Sequence, residues 1–354
     1  MAGWADNDRP PTPQGLSGEM REERGIVPRN QRQGEKDGRH VAPSLPAGLF
    51  FCALGGAVAS SMLSFVGPAL VSYGYYPVAP RGGVTARLGC LVAMLAPAVA
   101  LTFASGISAV ASAVVACLLA VLVCELAAAR RMTPGALCAV VAAGTVVLLG
   151  VDEALALASG TTLSAGVGNL LNLLEQQLGG ALVGASDQIR AARAVIEVVW
   201  PLAYVMAALA GCVSAVLGAL VASRLTTADV EPLPRLADFD LPLWVVAVFV
   251  ASLAGLAVAV STAGAVSGVA LAISANVALA VRLALTVQGL AVVTGLARSK
   301  GVGSLGTALI GVVALYLEVQ FVVLTIAGLV DVWANFRHLQ RGGRPGVAGQ
   351  SMQD

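Results

Sequence analysis

The sequence predicts an all-α fold, a polytopic transmembrane helical bundle, and three observations carry that prediction. Apolar residues make up 57% of the 354-residue chain and charged residues only 12%, far from soluble globular usage. The apolar residues, mostly Ala, Val, Leu and Gly, fall in runs of about 20 or more, the length that crosses roughly 30 Å of hydrocarbon at about 1.5 Å per residue. These runs are unbroken, whereas the strands of a β-barrel would alternate apolar and polar positions.

Residues 1–46 interleave cations from Arg9 to Arg39 with acids from Asp6 to Asp37 and hold little that is apolar, so a disordered charged tail is expected there. A secretory leader would carry its apolar core nearer the start, and 47–72 therefore reads as a retained first span. The spans that follow are 88–104, 106–128, 134–158, 195–223, 241–262, 266–297 and 304–333, about eight in all, each bounded by charge, Pro or Gly. Spans two and three are separated only by Ala104-Ser105-Gly106 and form either a tight hairpin or a broken, partly re-entrant pair. Between spans four and five, residues 163–194 set Leu163, Val167, Leu170, Leu174 and Ile189 at helical steps opposite Asn169, Asn172, Glu175 and Arg193. This spacing predicts an amphipathic helix pair, interrupted at Gly179-Gly180, lying in the interface or forming a lid over a cavity. The transmembrane domain thus covers 47–337, and 338–354 is a short polar tail.

The cation pairs Arg81/Arg87, Arg130/Arg131, Arg224/Arg235 and Arg298/Lys300 share one side of an eight-span chain, which makes that side cytoplasmic and puts both ends outside. The charged N-terminal tail and Arg337, Arg341 and Arg344 pull the other way, and the balance leans towards cytoplasmic ends of a multi-pass cell-membrane protein.

Composition and motifs exclude several classes. A formal net charge of +1 without a Lys/Arg stripe gives no nucleic-acid surface, and the bilayer is the partner that the composition requires. The six cysteines lie in or beside apolar spans without CxxC spacing, and His40 and His338 lie outside the spans, so no metal or other cofactor is expected. Gly301-Val302-Gly303-Ser304-Leu305-Gly306 fits GxGxxG but joins two spans and reads as a flexible loop. With no phosphate-binding loop, HExxH or nucleophile elbow, the sequence points away from an enzyme.

Two ionisable residues fall well inside spans, where even a mild estimate puts a lone charge at about 2.5–3.5 kcal/mol. Counted from their shared loop, Arg282 and Glu318 are level near mid-membrane and can neutralise each other, with Asn276, Thr286, Gln288 and Gln320 as further polar partners. The pair either fixes the rotation of two helices or lines a polar site for a small ligand.

Three stretches carry a resemblance. Gly328 to Arg337, with Asp331, Trp333, Phe336 and Arg337, resembles the closing Asp-x-Trp-x-x-Phe-Arg signature of the YybS-like family of bacterial membrane proteins, with Asn335 where that pattern has an acid. Phe239 to Trp244, including Pro242, and the Gln288-Gly289 stretch resemble the family's late spans. That family is a domain of unknown function, and the resemblance implies membrane class and topology; separately, aromatic belts place Asp331 and Trp333 at the membrane boundary. The chain is also similar to the substrate-binding subunits of energy-coupling-factor transporters, which have about six spans and borrow an ATPase from other chains. That likeness implies membrane or ATPase subunits as partners and an unidentified small ligand. The function expected is that of a small-solute-binding or transport-related membrane component; the alternative is a non-transporting scaffold or interaction protein of the cell envelope.

Overall fold

The computed structural model describes residues 44–181, 186–225, 233, 236–262 and 265–337. Apart from 44–46, the N-terminal tail expected over 1–46 lies outside the described residues, as does 338–354. Regular structure among the described residues is entirely helical, in twelve α-helices.

The first expected span is two helices. α1 (Leu45–Ala59) starts at Ser44, whose hydroxyl accepts from Ala47 N at 3.4 Å, with Pro46 in the first turn. The chain then turns through Ser64–Val66 and returns as α2 (Gly67–Tyr75). Pro68 lacks the N–H a continuous helix would need and instead opens α2. A Cβ on Gly48 would meet Gly74 O at 2.9 Å and one on Gly67 would meet Ala59 N at 2.7 Å, so the two helices run antiparallel at backbone contact. The tip shares a groove with Ser112 and Ala116 and so stops short of the start of α4 at Ile107.

α3 (Gly83–Thr102) and α4 (Ile107–Ala128) resolve the second and third spans as a tight hairpin of two full-length helices. Gly106, at φ +99°, makes the turn that an L side chain would resist. α5 (Pro134–Ala158) follows, capped by Thr133, and then α6 (Leu163–Ala181) and α7 (Ser186–Val199). α6 includes Gly179-Gly180 and ends at Ala181, so the break between the two helices falls just beyond the expected glycines. Arg193 ties the two amphipathic helices together, 2.6 Å from Glu175 and 2.8 Å from Glu197. α8 (Leu202–Leu225) begins after Trp200-Pro201, seven residues later than expected, because the proline interrupts the run of apolar residues from 195.

α9 (Leu243–Ser261) and α10 (Ala265–Ser299) form an antiparallel pair, with Leu241 N bonded to Gln288 Oε1 at one end and Gly255 against Ser274 further along. The last expected span, 304–333, is also broken. α11 (Ser304–Phe321) descends along α10, Gly311 beside Leu290 and Glu318 beside Arg282. Val322 adopts φ 58°, ψ 28°, a left-handed conformation that a β-branched residue resists by about 1–2 kcal/mol. α12 (Val323–Ala334) then climbs back, Thr325 beside Thr286 and Arg337 beside Gly295. From Arg282, α10 continues 17 residues towards Ala265, about 25 Å, so this second hairpin turns back within the depth of the bundle.

Seven helices are long and apolar enough to cross a membrane, α3, α4, α5, α8, α9, α10 and α11. Since α11 and α12 fold back together, six helices carry the chain from face to face and two hairpins return it to the face it left. Both hairpins open on the same face. That face bears Arg81, Arg130, Arg131, Arg224, Arg298 and Lys300, together with the start of α1 and the end of α12. Counting each hairpin as a crossing would instead place the start of α1 and the end of α12 on the face opposite these cations.

Glycine contacts hold the bundle at close range. A Cβ on Gly56 would stand 1.9 Å from Met94 O, and one on Gly218 would stand 2.0 Å from Ala69 O. Cys52, Cys90, Cys117, Cys124 and Cys212 pack as small buried side chains, and Cys138 is half-buried.

Candidate functional site

Arg282 and Thr286 lie one turn apart on α10, facing the tip of the second hairpin. The break at Val322 exposes the first N–H groups of α12, and Glu318, at the end of α11, reaches across it. Its Oε2 accepts from Thr325 N at 3.0 Å, an N-terminal cap supplied by the preceding helix. Its Oε1 accepts from Thr325 Oγ1 at 2.6 Å and from Arg282 Nη2 at 3.2 Å and Nε at 3.3 Å. Thr286 Oγ1 lies 3.2 Å from the same oxygen and 2.9 Å from Arg282 O, with one proton to share between them. Glu318 is 8% exposed and Arg282 35%. The carboxylate is thus engaged by a helix end, two hydroxyls and a guanidinium, an arrangement that holds the hairpin tip in place.

The depth of this pair differs from the count made along the sequence. α10 overhangs α9, so distance from the 300–303 loop overstates depth. Measured from Gln288, which is level with the start of α9, Arg282 lies six residues in, about 9 Å, or one third of the length of α9.

The other polar residues expected at this site are elsewhere. Asn276 donates to Val198 O and Ala272 O, both at 2.7 Å, and links α10 to the end of α7; its Oδ1 is buried without a partner. Gln320, on the opposite side of α11 from Glu318, is exposed. Gln288 joins the closing-signature residues instead. It accepts from Leu241 N at 2.7 Å and donates to Asp331 Oδ2 at 3.3 Å. Arg337 Nη2 stands 2.7 Å from that oxygen, and Nη1 donates to Ala237 O at 2.7 Å and Phe239 O at 2.8 Å. Phe336 N donates to Asp331 Oδ1 at 2.9 Å. Asp331 and Gln288 are fully buried and the Arg337 side chain is 4% exposed, so the ends of α10 and α12 are locked to the segment entering α9. Pro242 opens α9 against Gly135, Gly289 lies at the crossing with α12, and Trp333 and Phe336 point outward.

Glu125, near the end of α4, meets Arg87 at 3.1 Å and the Tyr75 hydroxyl at 2.7 Å. Thr325 was not read as a partner at all. A threonine is a common residue in an apolar helix, and only the fold-back at Val322 brings its N–H and hydroxyl to Glu318.

Open space lies at the other hairpin. A half-open groove of about 320 Å³ runs beneath its tip, between α4, α5 and α8. Ser64, Phe65 and Pro68 of the tip, Ser112 and Leu119 of α4, and Tyr204 of α8 form its walls, with alanines of α8 leaving the room. Its size and mainly apolar lining match small-molecule sites, which run from about 300 to 1,000 Å³ with a few polar groups.

These features define a polytopic α-helical membrane protein with two helical hairpins packed among its candidate spans. The chain belongs to the family described as predicted membrane protein (DUF2232), which matches residues 56–332. The match runs from within the first hairpin to Val332 and includes Glu318 and Asp331. That description assigns no activity and extends neither to the YybS-like name nor to energy-coupling-factor transporters. No curated protein and no solved structure matches the chain.

Proposed function

We propose that this protein is a non-enzymatic membrane component that binds a small solute within a transport system, with both chain ends in the cytoplasm. The observation that carries this reading is the groove under the first hairpin tip, since half-helices ending at depth are how many transporters place solute sites inside a bilayer. Six crossings also fit the likeness to energy-coupling-factor binding subunits better than eight did. The cytoplasmic orientation draws support from the arginines and Lys300 gathered on the face where both hairpins open. On the opposite face, the described cations outside the crossings are Arg190 and Arg193.

Native mass spectrometry of the detergent-solubilised protein tests the solute. A small molecule retained by the wild type and lost when Ala207→Leu fills the groove is the expected result; retention unchanged in that variant removes the groove as the site. Orientation is read in intact cells with a membrane-impermeant maleimide. Ser105→Cys should label, whereas Ser299→Cys and Ser351→Cys should both be protected. Labelling of Ser351→Cys with Ser299→Cys protected would make the α11–α12 segment a seventh crossing.

A further inference from the structure

The groove has a charged neighbour at one end. Tyr204, part of the wall, donates from its hydroxyl to Asp152 Oδ2 at 2.7 Å, and Ser108 donates to Oδ1 at 2.6 Å. These two bonds join the first turns of α8 and α4 to α5. Among the described residues no cation pairs with Asp152, whereas Glu125, Glu175, Glu318 and Asp331 each meet an arginine. An asparagine could bond both hydroxyls, accepting from one and donating its amide N–H to the other, without bringing a charge to the side of an apolar groove, so the linkage alone does not account for a carboxylate. A carboxylate has about four lone-pair sites, and the hydroxyls occupy two.

The aromatic setting has the same bias. Trp200 packs edge-on against Tyr204, with ring centroids 6.3 Å apart at 75°. Ring faces beside a carboxylate favour a weakly hydrated organic cation, through the ring quadrupole and the charge together. The rest of the groove is lined by Phe65, Pro68, Leu119, Leu148 and alanines and receives an apolar body.

We infer that the groove binds a small organic cation, with its ammonium head between Asp152 and the Tyr204 ring and its apolar body beneath Phe65 and Pro68. This names the solute class of the reading above and rests on that reading. An ammonium head can come from a soluble solute or from an ethanolamine lipid; the groove of about 320 Å³ takes a whole small solute, and added phosphatidylethanolamine separates the two sources below.

The test uses the full chain in nanodiscs of phosphatidylglycerol, with empty discs as the blank, titrated calorimetrically with benzyltrimethylammonium. Saturable one-to-one binding is expected, weakened about tenfold or more in Asp152→Asn, as the loss of a charged contact implies. Uncharged benzyl alcohol should bind at least about tenfold more weakly than the cation. Because Asp152→Asn could loosen the α4–α5–α8 contact, Ala207→Leu provides a second variant: it fills the groove, leaves Asp152 in place and should abolish binding. Equal affinity of wild type and Asp152→Asn for the cation, or of the wild type for cation and alcohol, would overturn the head-group assignment while leaving solute binding intact. Displacement of the probe by added phosphatidylethanolamine would overturn the assignment to a soluble solute. No binding of either probe, together with no retained molecule in native mass spectrometry, would overturn the solute-binding reading itself.

Discussion

Asp331→Ala is expected to destabilise the protein by about 3–5 kcal/mol, the cost of removing one partner from a buried ion pair. Asp331 is fully buried, and the Arg337 side chain it meets at 2.7 Å is 4% exposed, so without it the guanidinium has no ready path to water and keeps only the longer contact to Asp240 at 3.9 Å as a charge partner. The loss extends beyond the pair, because Asp331 also receives Gln288 Nε2 and Phe336 N, leaving two further buried or half-buried donors without their acceptor. Equilibrium unfolding in mixed micelles measures it. Changing both residues to apolar ones of similar volume, Asp331→Leu with Arg337→Met, should recover much of the loss, since a buried pair contributes little over a well-packed apolar replacement. A loss below about 1 kcal/mol in the single variant would mean that Arg337 finds water or another partner as readily as Asp331.

Gly289→Ala and Gly328→Ala should each cost about 1–3 kcal/mol or more, despite alanine being the better helix former. A Cβ on Gly289 would stand 2.0 Å from Leu324 O, and one on Gly328 would stand 2.2 Å from Leu285 O and 2.8 Å from Gly289 N. All these neighbours are backbone, so relief requires α10 and α12 to separate. Separation would pull Thr325 away from Thr286 and Glu318 and unseat the hairpin tip. Gly268 in the same helix has nothing within 4 Å of its Cβ position, and Gly268→Ala should stabilise by about 0.5–1 kcal/mol. The two substitutions on one helix thus have opposite expected signs, read by the same unfolding measurement. A neutral Gly289→Ala would show that the crossing is looser than its backbone distances.

The membrane class, the six crossing helices and the level pairing of Arg282 with Glu318 were all legible in the sequence. Run length and hydropathy report whether a segment prefers lipid, and a shared loop fixes relative height. Direction of travel was not legible, because a helix that turns back is as apolar as one that goes on. At the first hairpin a signal existed in Gly67-Pro68, inside the segment read as one span. At the second there was none, since Phe321-Val322-Val323 is a poor sequence for a left-handed turn and it is tertiary contacts, those of Glu318 with Thr325 and Arg282 among them, that sustain it. The separation of Gln288 from Arg282 was equally hidden. Six residues along a helix set two side chains about 120° apart around the axis, and which neighbour waits there depends on packing. The Asp152–Tyr204 contact spans 52 residues, beyond the reach of any local pattern.

The first hairpin also sets a timetable for making the protein. Neither α1 nor α2 is long enough to be held across a bilayer alone, and the close seat for α2 is Gly218 against Ala69, a partner synthesised about 150 residues later. At roughly 5–20 residues per second, Ala69 leaves the ribosome on the order of ten seconds before that seat exists. For that interval two short helices wait beside α3 and α4 with Pro68 and the backbone of Ala69 uncovered. The second hairpin faces no such delay, since α9 and α10 precede it and offer a finished surface. A chain interrupted between α5 and α8 would therefore leave the first hairpin as the exposed element for quality control to find, whereas one interrupted after α10 would lack only its final clasp.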